Sequence, residues 1–248
     1  KDELGADRTF QEAMAACREI KKPSDLVEAY TLMAEAHARL GNMRSAQYAV
    51  RAAEQAVAEV QDPESKSREL VAVAEAQAAV KNEEAALASL KAAEQSALQI
   101  NNADGTPDVY TRAVALGRVA AGAERVGQPA ESERLFQAAA GQAQSISNER
   151  IRAASLAEIA VTLWNLKKAD AATKAFDAAL QAARAIDKPQ SKAYALSEVA
   201  RRLVVVGEKA KARQVLDEAD AVAHKIPEPD QQEQTITKIR EMMDELRR

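Results

Sequence analysis

Aromatic residues make up only 3% of the 248-residue chain, and it holds 8 glycines, 7 prolines and a single cysteine. So few glycines and prolines leave little material for tight turns, which argues against a fold built from many β-hairpins. The lone Cys17 excludes an intrachain disulfide framework. No run approaches the roughly twenty consecutive apolar residues of a membrane span. Neither sign of charge dominates: 34 Lys and Arg against 38 Asp and Glu leave a net charge of -4. The basic domain or stripe that marks a nucleic-acid surface is therefore missing, and no nucleic-acid partner is expected.

Catalytic signals are equally scarce. There is no Gly-rich phosphate loop and no nucleophile elbow. The two histidines, His37 and His224, stand apart without a matching Cys or His set, so neither a zinc site nor another metal or cofactor is expected. The expectation is a protein that is not an enzyme. With no initiator Met, no charged-then-apolar leader and no lipidation motif, the sequence reads as a processed or trimmed cytoplasmic chain, a periplasmic or secreted one being left open.

What the chain does have is helix-forming material. Hydrophobic residues reach 47% and charged ones 29%, and Ala, Leu, Glu, Lys, Arg and Gln are the residues that lose least on entering a helix. Apolar residues recur throughout, so disorder is not expected.

The recurrence has a long period. Breaks at Gly41, Lys81, Gly127, Lys167 and Gly207 are spaced 40, 46, 40 and 40 residues apart by subtraction. Seven residues before each break stands an alanine, Ala34, Ala74, Ala120, Ala160 or Ala200. Twelve residues after each stands another, Ala53, Ala93, Ala139, Ala179 or Ala219. Large apolar columns flank them, with Tyr30, Leu70, Leu116, Leu156 and Leu196 before the breaks and Val50, Leu90, Phe136, Phe176 and Leu216 after. Spacings of three, four and seven put these residues on one face of a helix in each half. Pro23, Pro63, Pro107, Pro189 and Pro229 mark the joins, where proline suits a first helical turn. Each repeat is thus a helical hairpin of about forty residues.

The same ruler predicts a half repeat at 1–22, full repeats at 23–62, 63–106, 107–148, 149–188 and 189–228, and a capping helix at 229–248. In the half repeat Phe10, Ala13, Cys17 and Ile20 occupy second-helix columns; in the cap Ile236, Ile239, Met243 and Leu246 occupy first-helix columns. Arg240 stands where the first-helix alanine would be, and with no second helix to follow it is expected to face solvent. The expected fold is an all-α solenoid of about twelve helices in one array.

These columns resemble the tetratricopeptide repeat. Its order of a large residue, Leu-Gly/Ala, Tyr, turn Gly, Ala, Phe, Ala and closing Pro is matched by Leu156, Ile159-Ala160, Leu163, Lys167, Ala172, Phe176, Ala179 and Pro189. The Tyr column departs from the pattern, holding His37, Gln77, Ala123, Leu163 and Leu203, and the second helix is longer than usual. The length of the repeat resembles that of kinesin light chain arrays. The resemblance implies a right-handed superhelix whose concave groove, lined by first helices, binds a protein or peptide. The kinesin-light-chain likeness implies an alternative, side-on attachment to a cytoskeletal polymer; an enzyme accessory module is a third reading. In the family's carboxylate-gripping arrays an Asn occupies the slots held here by Glu35, Glu75, Ala121, Val161 and Arg201, so that clamp is absent.

Read onto the groove, the first half offers mixed charge, including Glu28, Glu35, Arg39, Arg68, Glu75, Arg118, Glu124 and Arg125, expected to form ion pairs within each helix. The second half offers Glu158, Val161, Trp164, Asn165, Tyr194, Glu198, Arg201, Val204 and Val205. Trp, Tyr and Arg are the usual energetic anchors of interfaces. The candidate contact is Trp164, Asn165, Tyr194, Arg201, Val204 and Val205, flanked by Arg118 and Arg125; against it, Trp164 and Val204 could simply pack within the array. The half repeat, lacking a first helix, leaves an apolar face open to self-association.

Overall fold

The computed structural model describes residues 3–247, so Lys1, Asp2 and Arg248, at the ends of the first and last expected segments, lie outside the described residues. The described chain is all-α, with twelve helices and hairpins packing in succession. It divides into two compact units, Lys1–Leu135 and Phe136–Arg248. The first holds α1 (Glu3–Cys17), α2 (Pro23–Leu40), α3 (Met43–Ala58), α4 (Pro63–Ala79), α5 (Glu83–Leu98) and α6 (Val109–Arg125). The division falls inside α7 (Pro129–Gln144). The second unit continues with α8 (Glu149–Asn165), α9 (Ala169–Arg184), α10 (Pro189–Val205), α11 (Lys209–Ala223) and α12 (Pro229–Arg247).

Every break in the sequence ruler is a left-handed turn. Gly41, Gly127 and Gly207 have φ of 85°, 79° and 83°, and Lys81 and Lys167 adopt φ of 63° in the same place. Glycine reaches this region freely, whereas a side chain strains it. The backbone N–H of the residue after each break then closes on a carbonyl five positions back, as from Asn82 to Gln77 and from Lys168 to Leu163. The hairpin is therefore shaped by backbone geometry even where glycine is missing.

Helix starts are fixed locally. Asp62 accepts the Ser65 N–H at 2.8 Å, Asp108 accepts that of Thr111 at 3.0 Å, and Asn148 accepts those of Arg150 and Ile151. Pro23, Pro63, Pro189 and Pro229 open their helices. Pro107 differs from the expectation: it precedes the cap Asp108 and pairs with Asn101 in an isolated antiparallel bridge. The reason is the insertion at 101–106, which folds back on itself through Asp104 and Thr106 and places Gly105 at φ 82°.

The alanine columns are fully buried in both units, as are Leu90, Leu116, Leu196, Leu216 and Phe176 beside them. A one-methyl side chain lets helix axes approach closely while its larger neighbours fill the grooves. In the first unit α2, α4 and α6 pack in succession, with α3 and α5 against them. In the second, α8, α10 and α12 do the same, with α9 and α11 alongside. Gly122 on α6 marks a tight approach, since a Cβ built there would stand 2.5 Å from Val71 Cγ1 on α4. Arg240 is exposed, and Ile239 and Thr235 on the buried side of α12 hold the cap.

Candidate interaction surface

The first helices of each hairpin turn one stripe away from the core. In the first unit that stripe carries Glu28, Leu32, Glu35 and Arg39 on α2, Arg68, Ala72, Glu75 and Ala79 on α4, and Val114, Arg118 and Arg125 on α6, with Ala121 buried between the last two. The charges do not pair only within helices, as expected. Arg125 crosses from α6 to Glu75 on α4, Nη2 to Oε1 at 2.6 Å. Arg68 grips its neighbour Glu69 at 2.7 Å, and hydrogen bonding to that carboxylate holds the guanidinium above the usual arginine range. Glu69 itself is buried. Arg118 is half-buried, its Nη1 is shut off from solvent, and it has no hydrogen-bond partner among the described residues. Leu32 is 58% exposed on α2. Nothing in the sequence singled it out, because its column holds a small or charged residue in every other repeat.

In the second unit the face of α8 and α10 carries the remaining candidates. Val205 is 64% exposed, Trp164 and Val204 are half-buried, and Asn165 is exposed. Val161, read from the sequence as part of this surface, is instead buried, at 9% exposure. Tyr194 is half-buried under the cap: the Lys238 ammonium lies 5.7 Å from its ring centroid, and the Thr235 hydroxyl lies 3.5 Å from its own. Arg201 is bound to Glu198 one turn earlier at 2.6 Å, which holds its guanidinium above the usual range. Arg202 reaches Glu158 on α8 at 2.8 Å and Glu198 at 3.3 Å. The structure thus places Trp164, Asn165, Val204 and Val205 at the C-terminal ends of α8 and α10, and it gives Tyr194 and Arg201 intramolecular partners. Arg118 and Arg125 belong to the first unit.

The second helices carry a separate set of links. Arg134 meets Glu94, Lys211 meets Asp177 at 2.8 Å, and Arg184 meets Glu218 at 2.7 Å. No pairwise signal in one sequence foretells these contacts, but all three share one offset. Counted from its own turn, the residue on the later helix stands six positions nearer than its partner.

Cys17 and His37 occupy core positions. Burial pushes the Cys17 thiol up, away from the reactive thiolate. The His37 ring is buried and meets Phe10 edge-on, with ring centroids 4.8 Å apart. Among the described residues no three His, Cys, Asp or Glu side chains gather as a metal site. Nor is any helix there long and apolar enough to cross a membrane.

Fold and faces together define a helical-repeat protein, with all-α hairpins packed in succession within each unit. No family model and no curated protein matches the chain. Solved structures do. The crystal structure of BtubC (BKLC) from P. vanneervenii is 17% identical, with 91% of this chain and 92% of that one covered at a TM-score of 0.41. Ton1535 from Thermococcus onnurineus NA1 is 15% identical over 93% of this chain and 83% of its own, TM-score 0.37. NprR in complex with its cognate peptide NprX is 13% identical over 97% and 79%, TM-score 0.30.

Proposed function

We propose that the chain is a non-catalytic scaffold of the tetratricopeptide type, which binds a partner protein or peptide on the first-helix face of its second unit. The observation that carries this reading is the uncovered apolar end of α8 and α10. Val205 stands 64% exposed next to half-buried Val204, and half-buried Trp164 closes α8. The cap covers Tyr194 but leaves Val205 in water. Exposed valine beside a partly open tryptophan is the kind of surface from which a partner gains most by excluding water. Asn165 and the Arg201–Glu198 pair supply polar groups at its rim.

Affinity capture with the wild-type chain and with a Trp164→Ala/Val205→Asp variant of unchanged helicity tests it. Loss of one dominant protein from the variant supports the reading and identifies the partner. Identical captures with both baits overturn it. Co-sedimentation with a cytoskeletal polymer, insensitive to these substitutions, is the result that the filament-associated alternative requires.

A further inference from the structure

On the α4–α6 face of the first unit stand three arginines, Arg68, Arg118 and Arg125. Arg68 is held by Glu69 and Arg125 by Glu75. Glu124, at the edge of α6, is itself engaged. Arg118 is the cation left over: among the described residues no carboxylate pairs with it, although its Nη1 has already lost its water and gained no acceptor. A guanidinium nitrogen in that condition is stabilised by any acceptor brought to it. Small side chains stand beside it on its own helix and on the next: Ala121, buried one turn from both Arg118 and Arg125, separates the two on α6, and Ala72 is half-buried on α4. Small residues let an incoming backbone lie close, so that a side chain of ordinary length reaches the arginine.

We infer that this face receives a peptide segment of the partner, and that Arg118 pairs with an aspartate or glutamate side chain of that segment. The inference rests on the partner-binding reading above and extends it to the first unit. Charge decides the chemistry. The neighbouring arginines have their own carboxylates and Arg118 has none, so an acidic side chain is the complement that it takes. The planar fork of arginine accepts a carboxylate in two parallel hydrogen bonds, and turning outward toward it gives Nη1 the acceptor it lacks. A C-terminal carboxylate is not required, which separates this contact from the terminal clamp whose asparagines the chain does not have.

Selection of short random peptides, displayed without a free C-terminus, against the full chain tests this directly. Wild-type binders should share an Asp or Glu, and their affinity should fall about tenfold or more with Arg118→Gln or when the acid is replaced by its amide. Arg118→Lys, which keeps the charge and the packed stem but not the fork, should recover part of that loss. Helicity and thermal midpoint of both variants should match wild type. Binders that carry no acid, or that hold Arg118→Gln as tightly, overturn the inference while leaving the partner-binding reading intact. A wild-type chain that selects no peptide overturns the inference, while the partner-binding reading stands or falls on the affinity capture.

Discussion

Arg125 on α6 donates to Glu75 on α4 through both Nε, at 2.8 Å, and Nη2, at 2.6 Å, and stands four positions nearer its turn than Glu75 does to its own. The same four-position offset links Arg202 to Glu158 in the second unit and seats Lys238 over Tyr194. Within each unit, successive first helices therefore lie in one register. α12 obeys it too, which gives it the register of a first helix.

Reversing that pair should cost stability once and then restore it. Arg125→Glu and Glu75→Arg alone each place like charges together, while the double variant rebuilds an opposite pair. A double-mutant cycle by urea denaturation should give a coupling of about 0.2–1 kcal/mol, the range for partly exposed pairs, and less in high salt.

Lys81 and Lys167 hold a left-handed conformation that glycine fills in the other three turns. Lys81→Gly and Lys167→Gly should each stabilise the chain by roughly 0.5–1 kcal/mol, the strain relieved less the extra freedom of glycine in the unfolded chain. Thermal melts of the single and double variants check this; a lowered midpoint would contradict it.

Gly122 has no room for a methyl group. Gly122→Ala should overpack the α4–α6 seam by about 1–3 kcal/mol, because the stiff, β-branched Val71 cannot swing aside. Adding Val71→Ala to the same chain should return part of the loss. Additive losses in the double variant would show that the two side chains do not meet.

Asp62 caps α4, and the Ser65 N–H holds its carboxyl below the usual aspartate range. Because the folded value is the lower one, the contribution is complete above the unfolded range and fades as pH falls through the folded one. Asp62→Ala should cost about 1 kcal/mol at neutral pH and progressively less in acid, whereas Asp62→Asn should keep the cap at every pH. Urea midpoints measured across the acid range separate the two.

Much of this was legible before any coordinates. The alanine columns named a seam, and every member is buried; Phe176 and Leu216 fill the positions that the period gave them. Period carries this information because burial recurs at fixed intervals. The misjudged positions are those where period says nothing. Val161 shares a helix with Trp164, and only packing against a neighbouring helix decides that one is buried and the other half-buried. Arg118 and Arg125 look alike in the sequence, seven positions apart. One finds Glu75 across the seam, and the other finds no carboxylate.

The insertion at 101–106 lengthens one step of the repeat from 40 to 46 residues, yet Arg134 still meets Glu94 at the six-position offset seen for Lys211 and Asp177. Arg112 pins the loop's base, donating to the Ile100 carbonyl at 2.7 Å and the Asn101 side chain at 2.8 Å. Spacing between hairpins is thus insulated from what the linker carries. The tip near Gly105 is a port at which a fluorophore, an epitope or a whole guest module can be spliced in without disturbing the helices on either side.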